Sequence, residues 1–123
     1  MVRGDVYLAD LGCLDPSTNT HTQIGKRPVI IYQDEKVNRF GKTIIVIPCS
    51  SNPNKSKTST HFELHADLRK TTYALCEHMK VIDKSKLFYK MGSIPKNELK
   101  EIDTIVSRIL KIGERQLWLR VVK

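Results

Sequence analysis

Apolar positions fall into short runs separated by polar turns, and their spacing predicts strands along most of the chain and one helix near its end. Residues 6–11 mix β-branched, aromatic and aliphatic side chains after Gly4 and Asp5, so they read as a first strand. Residues 12–25 then gather Asp15, Pro16, Ser17, Thr18, Asn19 and Thr20, turn formers with little reason for burial, which predicts a long loop. Loops of this length in compact domains are often functional. The apolar runs 29–33 and 43–47 flank the polar turn 34–42 and read as two buried strands joined as a hairpin. Pro48 is expected to stop the second of them, leaving Cys49, Ser50 and Ser51 at its exit.

Residues 52–60 are polar throughout and predict an exposed loop. Residues 61–64 alternate, with Phe62 and Leu64 on one face and His61, Glu63 and His65 on the other. Residues 73–82 read as a fifth strand, in which Glu77 shares a face with Leu75 and Met79 and points away from His78. Residues 88–94 form a last core strand or an extended connector. Beyond Pro95, the residues Leu99, Ile102, Ile105, Val106 and Ile109 recur at helical spacing, and Gly113 is the expected stop. Residues 114–123 are expected to add an edge strand or to form a tail. Short strands followed by one helix predict a mainly β fold, a small β-barrel with a C-terminal α-helix.

Composition narrows this picture. A chain of 123 residues with 40% hydrophobic content supports one core, so residues 1–123 read as a single domain. Lysine and arginine exceed aspartate and glutamate by 21 to 13, and the net charge of +8 makes nucleic acid the leading partner class. Three widely spaced cysteines without a Cys-x-x-Cys pair fit reduced thiols in a cytoplasm. No stretch has the length of a signal peptide core or a membrane span, so a cytoplasmic protein with no membrane partner is expected.

The stretch 21–33, His-Thr-Gln-Ile-Gly-Lys-Arg-Pro-Val-Ile-Ile-Tyr-Gln, delivers Lys26 and Arg27 to the mouth of an apolar strand opened by Pro28. A guanidinium grips two phosphate oxygens at once and stays charged at cellular pH, so Arg27 suits the charge that builds on an attacked phosphodiester. His21 titrates near neutrality and suits proton transfer. RNA carries its own nucleophile in the 2′-hydroxyl, so a site of this kind needs neither a covalent residue nor a metal. Ser50 is a candidate for a phosphate hydrogen bond, Glu77 for a share of the proton traffic, and Lys55 and Lys57 for tracking a phosphate backbone. A zinc site from His61, His65, Cys49 and Cys76 fails unless the segment 61–65 is helical, because on a strand the two histidines stand about 13 Å apart at the usual rise. No cofactor motif is present, and no cofactor or metal is expected.

Several stretches together resemble the MazF/PemK family of toxin endoribonucleases. They are the opening Arg-Gly-Asp-Val-Tyr-Leu-Ala-Asp-Leu from Arg3, the Gly-Lys-Arg-Pro-Val segment from Gly25, the strand that ends in the hydroxyl of Ser50, the Thr-His-x-x-Leu stretch from Thr60, and the block from Glu77 that ends in Ile-Asp-Lys-x-x-Leu. The resemblance implies an SH3-like barrel of the CcdB/MazF type, working as a homodimer and wrapped by a cognate antitoxin protein. It implies a toxin of a type II toxin-antitoxin system that cuts single-stranded RNA at a short sequence without metal, leaving a 2′,3′-cyclic phosphate and a 5′-hydroxyl.

By position, Arg27 matches the family's catalytic arginine and Ser50 takes the place of its threonine. His21 stands where some members carry a functional histidine, and Glu77 matches a carboxylate used in the PemK branch. Gln23, Lys26, Ser51, His78 and Lys80 join Lys55 and Lys57 as expected RNA contacts, with His78 and Lys80 replacing the usual glutamine and arginine. Two alternatives stand beside this reading. One is a barrel of the same class that inhibits a partner protein such as gyrase; the other is a non-catalytic RNA-binding module.

Overall fold

The computed structural model of the chain describes residues 1–12, 25–52, 58–65 and 70–113. The expected tail 114–123 and most of the loop 12–25 lie outside them. Among the described residues the strands are β1 (Asp5–Asp10), β2 (Lys26–Ile31), β3 (Thr43–Ser50), β4 (His61–Leu64), β5 (Thr72–Leu75), β6 (Lys80–Asp83) and β7 (Leu87–Ser93). A short helix α1 (Glu35–Asn38) joins β2 to β3, and α2 (Lys96–Leu110) closes the described chain. The strands form one antiparallel sheet in the order β4-β5-β3-β2-β1-β7, with β6 paired to β3 off that path. The architecture is mainly β with a C-terminal helix, as the apolar spacing predicts, and among the described residues the ladder does not close into a full barrel.

Each face of the sheet carries an apolar layer, which follows from the period of two along its strands. On one side Val6, Ile30, Ile47, Cys49, Leu64, Ala74 and Cys76 pack with Ile102, Ile105 and Val106 of α2. On the other, Ala9, Val29, Ile31, Ile44, Val46 and Ile82 form a second cluster flanked by Tyr7, Leu11 and Leu87. Burying each Val, Ile or Leu side chain among them contributes about 1.5–3 kcal/mol before chain entropy is set against it. The helix is fastened by polar contacts as well. Asp103 accepts bonds from the Arg3 guanidinium and the Tyr32 hydroxyl, and Arg3 stacks 4.6 Å above the Tyr32 ring. Buried Glu98 accepts the His65 backbone N–H at 2.6 Å, tying the exit of β4 to the first turn of α2.

Three local expectations are corrected. Pro48 does not stop its strand, because it falls where β3 leaves β6 and takes up β5; the register steps from Val46↔Lys80 to Cys49↔Ala74, and a missing ladder donor is tolerated at such a break. The run 73–82 is not one strand: a 3-10 turn at Cys76–His78 splits it into β5 and β6, letting the chain cross from one β3 partner site to the other. The polar turn 34–42 contains α1, with the Asp34 side chain accepting from the Lys36 N–H. No helix among the described residues is long and apolar enough to cross a membrane.

Candidate functional site

The sheet forks at one end, and the fork explains the site. β2 and β3 pair through Ile31↔Val46, Ile30↔Ile47 and Val29↔Pro48, and there their ladder ends. Both strands nevertheless run on, each holding its outer neighbour: β2 stays with β1 through Ala9↔Arg27 and Asp10↔Lys26, while β3 stays with β5 through Cys49↔Ala74 and Ser50↔Tyr73. Between the two halves lies a cleft of about 240 Å³, lined by Lys26, Arg27, Pro28, Cys49, Ser51, Lys70, Thr72 and Met91. Three cations and no carboxylate are among those lining residues. A larger cavity of about 520 Å³ lies by Met1, Val2, Glu35, Lys36 and Arg39. It mixes both charge signs and includes none of the sequence-predicted site residues.

Arg27 stands on the β2 arm of the fork, half-buried, at the strand level that Ser50 occupies on the β3 arm. Ser50 is buried, and its Oγ accepts the Asn52 backbone N–H at 3.2 Å, which shapes the turn off β3. The next residue, Ser51, is exposed and lines the cleft. Lys26 reaches across the β1 side, its ammonium 5.3 Å from the Phe88 ring of β7. The loop that carries His21 is pinched at its root: Gly25 donates to the Gly12 carbonyl at 2.7 Å, and Leu11 donates to the Gly25 carbonyl at 2.9 Å. Gly25 takes a left-handed φ of +78° at this closure, which explains a glycine directly before Lys26. His21 and Gln23 lie outside the described residues, as do Lys55 and Lys57.

Glu77 occupies a different neighbourhood. It sits in the 3-10 turn beyond the far end of β5 from Tyr73, bonded to His61 and lying 3.2 Å from His78 Nε2. The expected strand geometry would have turned Glu77 away from His78; the 3-10 turn instead brings the two together. Burial pushes against ionisation of Glu77, but hydrogen bonds from Thr60 and His61 outweigh it and hold the carboxyl below the usual range. The His61 side chain is only 4% exposed, although alternation along β4 gives it the same face as exposed Glu63. Lys80 pairs with Val46 on the β6 side of β3 and does not line the fork.

Sequence reading missed Lys70, Thr72 and Met91 as cleft residues. Their neighbours in sequence carry little signal, and only the fork brings β5, β3, β2 and β7 to one opening. Among the described residues no group of three His, Cys, Asp or Glu side chains is placed to hold a metal ion. Cys49 and Cys76 are buried free thiols, and burial pushes the Cys76 thiol up to about 12, so both are packing groups and not nucleophiles at neutral pH.

The arrangement can bind a polyanion and stabilise charge at one phosphate. Comparison with known proteins places it. A family model described as PemK-like, MazF-like toxin of type II toxin-antitoxin system matches residues 2–110. A relative named Endoribonuclease MazF, from Staphylococcus saprophyticus subsp. saprophyticus, is 35% identical over 109 residues, covering 86% of this chain and 88% of its own. In fold, MazF from Deinococcus radiodurans gives a TM-score of 0.76 at 18% identity, over 91% of this chain and 97% of that one. An endoribonuclease from a mycobacterial species, solved in complex with its cognate antitoxin, gives 0.74 at 19% identity, over 91% and 96%. Match length and identity together leave one conclusion: the chain belongs to the PemK-like, MazF-like toxin family of type II toxin-antitoxin systems.

Proposed function

We propose that the fork cleft is the catalytic groove of an endoribonuclease that cuts single-stranded RNA at a short sequence, as the toxin partner of a cognate antitoxin protein. The observation that supports this is the parting of β2 and β3, which leaves a cationic opening lined by Arg27 and Ser51, with buried Ser50 level with Arg27 just behind that lining. The 2′-hydroxyl attacks the adjacent phosphorus, the 5′-oxygen leaves, and the products are a 2′,3′-cyclic phosphate and a 5′-hydroxyl. Arg27 stabilises the negative charge gathered on the phosphoryl oxygens. Ser50 orients a phosphate oxygen, and Ser51 and Lys26 hold the flanking backbone.

Proton transfer falls first to His21, whose loop is rooted at the Gly12–Gly25 closure immediately before Lys26. Glu77 is held ionised, so at neutral pH it can accept a proton but not supply one. Its bonds to His61 and Thr60 give it a supporting task, holding the turn between β5 and β6. The enzyme acts in the cytoplasm as a homodimer. Exposed Phe88 and Tyr89 on β7 and Phe40 after α1 offer apolar surface to a second copy or to an antitoxin.

The test is an end-mapped digest of a long RNA by the pure protein in EDTA. Discrete fragments ending in 2′,3′-cyclic phosphate are expected. Intact RNA would favour a barrel that acts by binding a partner protein, and would overturn the proposal.

A further inference from the structure

The fork cleft has a second rim that the cleavage step leaves unused. Carried one residue past Ser50↔Tyr73, the β3–β5 register sets Thr72 beside Ser51, and both line the cleft. The Thr72 hydroxyl donates to the Lys70 carbonyl at 2.9 Å, which fixes the backbone that presents the exposed Lys70. The same lining includes an apolar part, formed by Pro28 and Cys49 with Met91 from β7. One cavity is therefore lined by both the Lys70 side chain and apolar groups.

That combination suits a ligand with an anion joined to a flat, weakly polar body. A small free anion would leave the apolar groups wetted, and an aliphatic ligand would leave the ammonium unused. A nucleotide matches both parts, because every base has a face that packs on apolar or thioether groups whatever its sequence. The cleft is also continuous with Arg27, so a strand lying on Arg27 reaches this rim with its neighbouring nucleotide.

We propose that Lys70, Thr72 and Met91 form a nucleotide subsite beside the scissile phosphate, in which Lys70 holds an adjoining phosphate and Met91 with Pro28 receives a base. The inference rests on the reading of the cleft as an RNA-cleaving groove and adds a contact that binds without doing chemistry. Lys70 acts equally in the ground and transition states, so its loss is felt in KM more than in kcat.

The probe is a fluorescein-labelled, mixed-sequence RNA 12-mer carrying 2′-O-methyl groups, which lacks the attacking hydroxyl. Its affinity is measured across a range of KCl for the wild type, Lys70→Ala, Lys70→Arg and Met91→Ala. A phosphate contact on a single strand contributes about 0.7 to the slope of log affinity against log salt. Lys70→Ala is expected to bind more weakly and to flatten the slope by about that amount, with Lys70→Arg keeping both. Met91→Ala is expected to weaken binding at an unchanged slope, and the cleavage defect of Lys70→Ala on ordinary RNA is expected to sit in KM. Wild-type affinity and slope in Lys70→Ala would overturn the subsite and leave the ribonuclease standing. So would a kcat loss as large as that of Arg27→Ala. A wild type that neither binds nor cuts RNA would overturn the reading of the cleft itself, and the subsite with it.

Discussion

Replacing Glu77 by glutamine separates support from chemistry at a residue that the family pattern marks as functional. The side chain is 30% exposed and is held by His61 and Thr60, with His78 beside it. A hydrogen bond to a charged group contributes about 1.5–3 kcal/mol when shielded, and solvent reaching this carboxylate reduces that to about 1 kcal/mol. Because the folded carboxyl titrates below its unfolded counterpart, the ionised form supplies this stability above the unfolded pKa. The contribution is then lost as pH falls through the lower, folded value. Urea unfolding at a series of pH values should show Glu77→Gln less stable than wild type by about 1 kcal/mol at pH 7, with the gap closing in acid. Cleavage measured at saturating RNA should fall less than about tenfold, because loss of a true general base costs 10²–10⁴-fold. A gap that persists at low pH would refute the linkage argument. A cleavage loss in the general-base range would refute the supporting role and return Glu77 to the chemistry.

Other expected outcomes probe the frame around the site. Ile102→Ala removes a fully buried side chain where α2 meets the sheet, and thermal unfolding should show a loss of about 2–5 kcal/mol; a loss under 1 would contradict the packing described. Gly25→Ala puts a Cβ on a residue with φ of +78° where nothing lies within 4 Å, so the cost is backbone strain alone, about 1–2 kcal/mol in urea unfolding. It should also slow cleavage, because the residue roots the loop directly before Lys26 and Arg27; unchanged stability and rate would contradict that role.

Much of the fold was legible in the sequence because it depends on local pattern. Alternation in 61–64 and the helical repeat from Leu99 to Ile109 each report a face, and the α2 residues that pack against the sheet are among those the repeat picks out. What escaped depends on partner exchange between distant strands. Pro48 reads locally as a stop, and only the switch of β3 from β6 to β5 makes it tolerable inside a strand. The turn at Cys76–His78 has no glycine or proline to announce it, so alternation was carried through it and set Glu77 and His78 on the wrong sides.

The site divides in the same way. Arg27 and Ser50 are candidates because short motifs carry them, and Arg27 lines the cleft, whereas Lys70, Thr72 and Met91 come together only through the parting of β2 and β3. Alternation puts His61 on one face with Glu63, and the contact with Glu77 that the 3-10 turn creates covers it.

The central claim is that a guanidinium at position 27 neutralises charge at the phosphorus under attack. Single-turnover cleavage of a long single-stranded RNA in EDTA, by wild type and by Arg27→Ala with its unfolding curve recorded alongside, tests it most directly. Loss of a preorganised charge-stabilising donor predicts a rate lower by about 10²–10³-fold with the fold unchanged. A variant that cuts RNA at the wild-type rate would contradict the account.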